Sequence, residues 1–224
     1  MDLDLETAAR LLRATPETVG QWVREGVLPA HHVDGRPRFD RAELCAWATA
    51  RRHAAAPELF GPASPDALPG LAGALGRGGV FRDVPGANVE SVLLAVTRLP
   101  GIPPGVDPKK LHGLLMGREA LASTGLGEGV AVPHPRDPSL VKVAEPTVLL
   151  CFLSQPVDWR AIDQRPVQVL FTLLSPSTRA HLETLARIAF GLRDQKLRAL
   201  LDARAPDADL HARVVEVDRA GARR

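Results

Sequence analysis

Two largely apolar runs, Thr147 to Leu153 and Val167 to Leu174, constrain the fold of this chain more than any other feature. Each has the length of a strand, and neither alternates apolar with polar residues, so both faces of each strand need cover. Helices on both sides of a sheet provide it. The flanking sequence predicts them over Val89 to Leu99, with Val92, Leu93 and Val96 on one face, and over Pro108 to Ala122, with Leu111, Leu114, Leu115 and Glu119. A third is capped by Ser175-Pro176-Ser177 and runs to about Arg193, turning Leu182, Leu185, Ile188, Ala189 and Leu192 toward the sheet. A shorter helix follows around Lys196 to Ala203, and then a basic tail. With a strand starting at Val80, the fold class is α/β, a mixed β-sheet flanked by helices.

A smaller, mainly α unit precedes it over residues 1–52. Leu5, Ala8, Ala9, Leu11 and Leu12 make a short amphipathic helix. Thr15 before Pro16 is an N-cap with proline at the first helical position, and Gly26 ends the second helix, whose apolar face is Val19, Trp22 and Val23. Ala30 to Phe39 reads as a hairpin turning at Asp34-Gly35, and Asp40 to Ala50 as a third helix with Leu44 and Trp47 inward. This order resembles the excisionase-like and MerR-like winged helix-turn-helix family. The resemblance implies DNA contact by Thr18, Gln21 and Arg24 on the second helix, with Arg36 and Arg38 of the wing reaching phosphate. Glu17 and Gly20 leave that helix poor in groups for base readout, so a protein-contact module stays open as the alternative.

Residues 53–78, rich in Ala, Gly and Pro, read as a linker in which Leu59-Phe60, Leu68, Leu71 and Leu75 can pack locally. The 224 residues carry a net charge of only +2, so any nucleic-acid contact must come from a local patch. Two cysteines, Cys45 and Cys151, fall in different units, which points away from a disulfide scaffold and toward a reducing, cytoplasmic setting. No run has the length of a membrane span, and the start Met1-Asp2-Leu3-Asp4 is acidic, unlike a signal peptide. No cluster at metal-ligand spacing accompanies His31-His32, and neither metal nor cofactor is expected.

Chemistry concentrates in Ser123-Thr124-Gly125-Leu126-Gly127-Glu128-Gly129-Val130-Ala131-Val132-Pro133-His134. Three glycines two residues apart permit a tight turn, and Val130 to Val132 then read as a short strand delivering a histidine. Pro133 and Pro135 stiffen the backbone on both sides and place the imidazole at a rim. Taken alone, such a histidine is structural or chemical.

Together with Arg118-Glu119 just upstream, the motif resembles the phosphorylation site of the type 2 enzyme IIA domains of the phosphoenolpyruvate-dependent phosphotransferase system, the mannitol/fructose and nitrogen-regulatory class. Gly79-Val80-Phe81-Arg82-Asp83-Val84, Gln155-Pro156-Val157-Asp158-Trp159, Asp163-Gln164-Arg165-Pro166-Val167 and His181-Leu182-Glu183-Thr184-Leu185-Ala186 match earlier and later landmarks in order, over residues 79–218. The resemblance implies His134 as acceptor of a phosphoryl group from an HPr-like phosphocarrier, with His181 beside it assisting. Arg118 then neutralises the phosphoryl charge through paired hydrogen bonds, and Ser123, Thr124 and Gly125 form an oxyanion cradle. Pro135 departs from the family, which has a small residue there. Three functions follow: phosphorylation coupled to DNA binding in transcriptional control; a phosphorylation-dependent regulator that binds a protein partner without DNA; or a phosphate carrier to a separate sugar permease, with no membrane insertion in any of them.

Overall fold

The computed structural model describes residues 2–33, 35–51, 53, 55–56, 59 and 70–221, and the chain divides into two units, Met1–Pro62 and Ala63–Arg224. In the first, strand β1 (Asp2–Leu3) leads into helix α1 (Leu5–Leu11), whose first turn is capped by the Asp4 carboxylate accepting from the Thr7 amide at 2.8 Å. Helix α2 (Pro16–Arg24) starts at the expected Thr15 cap. Strands β2 (His31–Val33) and β3 (Arg36–Asp40) form the hairpin, and α3 (Arg41–Ala50) follows. Asp34 of the expected turn lies outside the described residues. Pairing of β1 with β3 makes the wing three-stranded, a strand too short to read from sequence. Ala8, Leu11, Leu12, Val19, Leu28, Phe39 and Leu44 form the core, and the Trp47 indole donates to the Val27 carbonyl at 2.6 Å.

The stretch expected as linker is occupied from both ends. The Ala56 amide and the His53 Nε2 donate to the carbonyls of Leu11 and Leu12, and the Leu59 carbonyl accepts from Arg41 Nε and Cys45 Sγ. The chain after α3 thus closes back over α1 and α3, because helix ends leave carbonyls that need donors. From the other end, helix α4 (Leu71–Gly78) buries Leu71, Ala74 and Leu75 in the second unit. Phe60 and Leu68 lie outside the described residues.

The second unit continues with β4 (Val80–Val84), α5 (Val89–Val96), α6 (Pro108–Leu121), β5 (Gly125–Gly127), β6 (Val130–Ala131), a 3-10 turn at Pro138–Leu140, β7 (Thr147–Val157), β8 (Val167–Leu174), α7 (Thr178–Gly191), α8 (Gln195–Asp202) and α9 (Asp207–Gly221). Its sheet has the order β4-β7-β8-β6-β5. β4 runs parallel to β7 and β6 parallel to β8, whereas β7 and β8 are antiparallel, as are β5 and β6. The two apolar runs are the central pair. Val148, Leu150 and Phe152 with Val169, Phe171 and Leu173 face one core, which α4, α7, α8 and α9 cover; Leu149, Cys151 and Leu153 with Leu170 and Leu174 face another, covered by α5 and α6. The basic tail expected after α8 is instead the helix α9, which buries Leu210, Val214 and Val217 one turn apart.

Helix α4 has no cap of its own, since Gly70 stands at the N-cap. The Asp218 carboxylate of α9 takes that place, accepting from the amides of Leu71 at 3.1 Å and Ala72 at 2.8 Å, with Arg187 of α7 at 3.4 Å. A β-carbon at position 70 would lie 2.4 Å from that carboxylate. Among the described residues no helix is long and apolar enough to cross a membrane.

Candidate active site

Helix α6 builds one side of the site. Capped by Asp107, it presents Leu111, Leu115 and Arg118 along one buried stripe. Arg118 therefore sits in the helix's core-facing row, near a C-terminus whose dipole favours a cation. It is only 5 % exposed, and its Nη1 donates to the Ala122 carbonyl at 2.7 Å.

The β5–β6 hairpin builds the other side. Gly125 packs so closely on the next loop that a β-carbon there would stand 2.7 Å from the Ala161 methyl, and Gly127 takes a φ of 92° beside Asp163. Asp163 receives the Glu128 amide at 2.6 Å, so the turn is held from outside. From this hairpin the chain passes through Val132 and Pro133 to His134.

Arg118 and His134 meet. The His134 Nδ1 lies 2.7 Å from the Val132 carbonyl, which can only accept, so the proton is on Nδ1 and the lone pair on Nε2. Arg118 Nε donates to that Nε2 at 3.1 Å. His181, fourth residue of α7, brings its ring centroid to 4.9 Å from that of His134. Its backbone amide donates to Ser177, and both its ring nitrogens are buried without a hydrogen-bond partner among the described residues, as are the hydroxyls of Thr172 and Ser175.

Burial governs the electrostatics. His134 is 3 % exposed and His181 1 %. Desolvation, then the neighbouring His181 and Arg118, hold the His134 pKa well below the usual imidazole range, against the Val132 bond that raises it. Desolvation and then Arg118 lower that of His181 to about 4. Both rings are neutral near pH 7. His134 thus lies beneath the surface and not at the rim that its flanking prolines imply, because Arg118 and α7 close over it.

The expected cradle differs more. The Ser123 hydroxyl donates to the Trp159 carbonyl and accepts from the Gly125 amide. The Thr124 amide and hydroxyl both donate to the Glu119 carboxylate, at 2.9 and 2.5 Å, while the hydroxyl accepts from the Trp159 indole. These donors are committed inside the protein, so Ser123, Thr124 and Gly125 shape the hairpin rather than face a ligand. Glu119, Thr124 and Trp159 were all legible as motif positions, but the hydrogen bonds that join them were not. Among the described residues no group of His, Cys, Asp and Glu could hold a metal ion.

On the first unit, Arg36 is exposed and Arg38 half-buried, two positions apart on one face of β3, with Arg38 acting electrostatically on Asp4. On α2, Arg24 is exposed; the Gln21 amide donates to Glu25 at 2.7 Å, and the Thr18 and Thr15 hydroxyls lie 3.1 Å apart.

Comparison with known proteins agrees with both units. Residues 79–215 match the family described as phosphoenolpyruvate-dependent sugar phosphotransferase system, EIIA 2, and residues 3–52 match a helix-turn-helix domain. The nitrogen regulatory protein of Bradyrhizobium diazoefficiens is 41% identical over 107 residues, which span 45% of this chain and 68% of that protein. The nitrogen regulatory protein of Pseudomonas aeruginosa is 38% identical over 139 residues, 60% of this chain and 88% of that protein. The crystal structure of nitrogen regulatory protein IIA-Ntr from Neisseria meningitidis superposes with a TM-score of 0.54 at 28% identity, covering 66% of this chain and 95% of that one.

Proposed function

Since the chain belongs to the phosphoenolpyruvate-dependent sugar phosphotransferase system EIIA 2 family, we propose that His134 Nε2 accepts a phosphoryl group from the phosphohistidine of an HPr-like carrier, and that the phosphorylated state regulates the N-terminal unit. The observation that carries this reading is the meeting of Arg118 with the unprotonated nitrogen of a buried, neutral imidazole. The Nε2 lone pair attacks phosphorus as the donor's P–N bond breaks, and the donor imidazole leaves with its electron pair. His134 keeps its Nδ1 proton, which the Val132 carbonyl stabilises as the ring gains positive character. Arg118, already aimed at Nε2, turns its guanidinium to the equatorial oxygens. His181, with two unused ring nitrogens, supplies a further donor to them.

A protein donor suits the surroundings. The segments that carry the site expose apolar side chains: Leu121 at the end of α6, Leu140 after His134, and Ile162 beside the Ala161 that packs on Gly125.

In this reading phosphorylation acts on DNA binding by the first unit; the helix-turn-helix match together with the exposed Arg36 supports the DNA contact itself. One observation favours the reading without DNA: the Gln21 amide and Thr18 hydroxyl of α2 already have partners in the protein. Incubation with phosphoenolpyruvate, enzyme I and an HPr-like carrier, followed by intact mass and by gel shift with genomic fragments, separates the outcomes. The expected result is one added phosphoryl group and a changed DNA affinity. No added mass removes the acceptor role, and retention of no DNA at low salt in either state leaves the protein-binding regulator.

A further inference from the structure

Resting on the reading of His134 as acceptor, we propose that Glu119 is its positioning residue: acting through Thr124 and Val132, the Glu119 carboxylate fixes His134 with its proton on Nδ1 and its lone pair on Nε2. The connection is a run of short hydrogen bonds. Glu119 Oε1 accepts from the Thr124 amide at 2.9 Å and Oε2 from the Thr124 hydroxyl at 2.5 Å. The Thr124 carbonyl accepts from the Val132 amide at 3.0 Å, and the Val132 carbonyl from His134 Nδ1 at 2.7 Å.

What passes along this run is orientation and not charge. The amide and the carbonyl of Val132 belong to successive peptide groups, as do those of Thr124, so no single peptide is polarised from end to end. Holding Thr124 holds the Val132 amide, which sets the torsions of Val132 and aims its carbonyl at Nδ1. The aim decides the tautomer, because a carbonyl accepts only.

The carboxylate is the group this clamp requires. Thr124 offers it two donors at once, and the Thr124 hydroxyl oxygen is taken by the Trp159 indole at 3.1 Å, so an acceptor with two oxygens is needed opposite. Glu119 also follows Arg118 on α6. Its bonds to Thr124 therefore tie the helix turn that carries the arginine to the strand that leads to the histidine, and the 3.1 Å approach of Arg118 Nε to His134 Nε2 depends on both.

The test reads the tautomer in the unphosphorylated protein and the transfer separately. In Glu119→Ala, ¹⁵N shifts of the His134 ring should move away from the pure Nδ1–H pattern, and phosphorylation by the HPr-like carrier should slow by about tenfold to a hundredfold. Glu119→Gln, which keeps the shape and one acceptor, should fall between it and the wild type in both nitrogen shifts and rate, and it carries the test if the alanine variant does not fold. Wild-type nitrogen shifts and rate in both variants, or in Glu119→Gln alone where only it folds, would overturn the proposal. Failure of the acceptor reading shows differently: the wild type itself then takes up no phosphoryl group, whatever its tautomer.

Discussion

Arg118 Nε donates to His134 Nε2 across 3.1 Å, so the nitrogen with the free electron pair is the one that a fixed cation covers. Burial first, and then the neighbouring His181 and the charge of Arg118, keep the ring unprotonated, and this hydrogen bond must open for any electrophile to reach Nε2. A guanidinium can open it by sliding from nitrogen to a phosphoryl oxygen without giving up a hydrogen bond, which an ammonium group cannot do in the same plane.

Arg118→Lys should therefore retain the fold and slow the transfer by about tenfold to a hundredfold, measured as the rate of phosphoryl uptake from the carrier. An unchanged rate would reduce Arg118 to a structural cation at the end of α6.

The two histidines should differ in kind. His134→Ala should take up no phosphoryl group, whereas His181→Ala should still take up one, about tenfold to a thousandfold more slowly, for want of one donor. The linkage should break in mild acid and survive base, as a phosphoramidate does. Phosphate that survives acid, or that remains in His134→Ala, points to another acceptor.

Acid should destabilise the second unit through these rings. An unfolded histidine binds its proton near pH 6.5, whereas His181 in the fold does so only near 4. Between those values the unfolded chain holds more protons, so the stability is complete above about pH 6.5 and is lost as the pH falls toward 4, by about 3 kcal/mol for His181 alone. Urea midpoints at pH 7 and pH 5 measure the loss, and His181→Gln should flatten it. A midpoint difference as large in His181→Gln as in the wild type would place the acid sensitivity elsewhere.

If the first unit binds DNA, it should do so through β3. Replacing Arg36 and Arg38 by Ala should weaken binding to all sequences about equally and reduce the salt slope by roughly one unit for each phosphate no longer neutralised. A weakening confined to one sequence would mean that these arginines read bases.

The central strands were legible because their residues do not alternate, and the β7–β8 pair buries both faces as that pattern requires. Helix α4 was hidden by its glycines, although Leu71, Ala74, Leu75 and Gly78 fall on one face. Helix α9 was hidden by charge, the spacing of Leu210, Val214 and Val217 being present in a stretch dominated by Asp and Arg. At the site, sequence supplied the residues and not their partners. Arg118, His134 and His181 converge, but Ser123 and Thr124 turn inward, because Trp159, which engages both, is brought there from a distant part of the chain by packing that no local pattern encodes.

The cap that Asp218 places on α4 also has a consequence for synthesis. The amides of residues 71 and 72 wait for a carboxylate made 147 and 146 residues later, and β4 waits for β7. While the chain emerges from the ribosome, the second unit cannot close until almost its last turn of helix is outside. The first unit, Met1–Pro62, is made long before, so during synthesis its helix-turn-helix can be complete while the histidine proposed to govern it has no pocket.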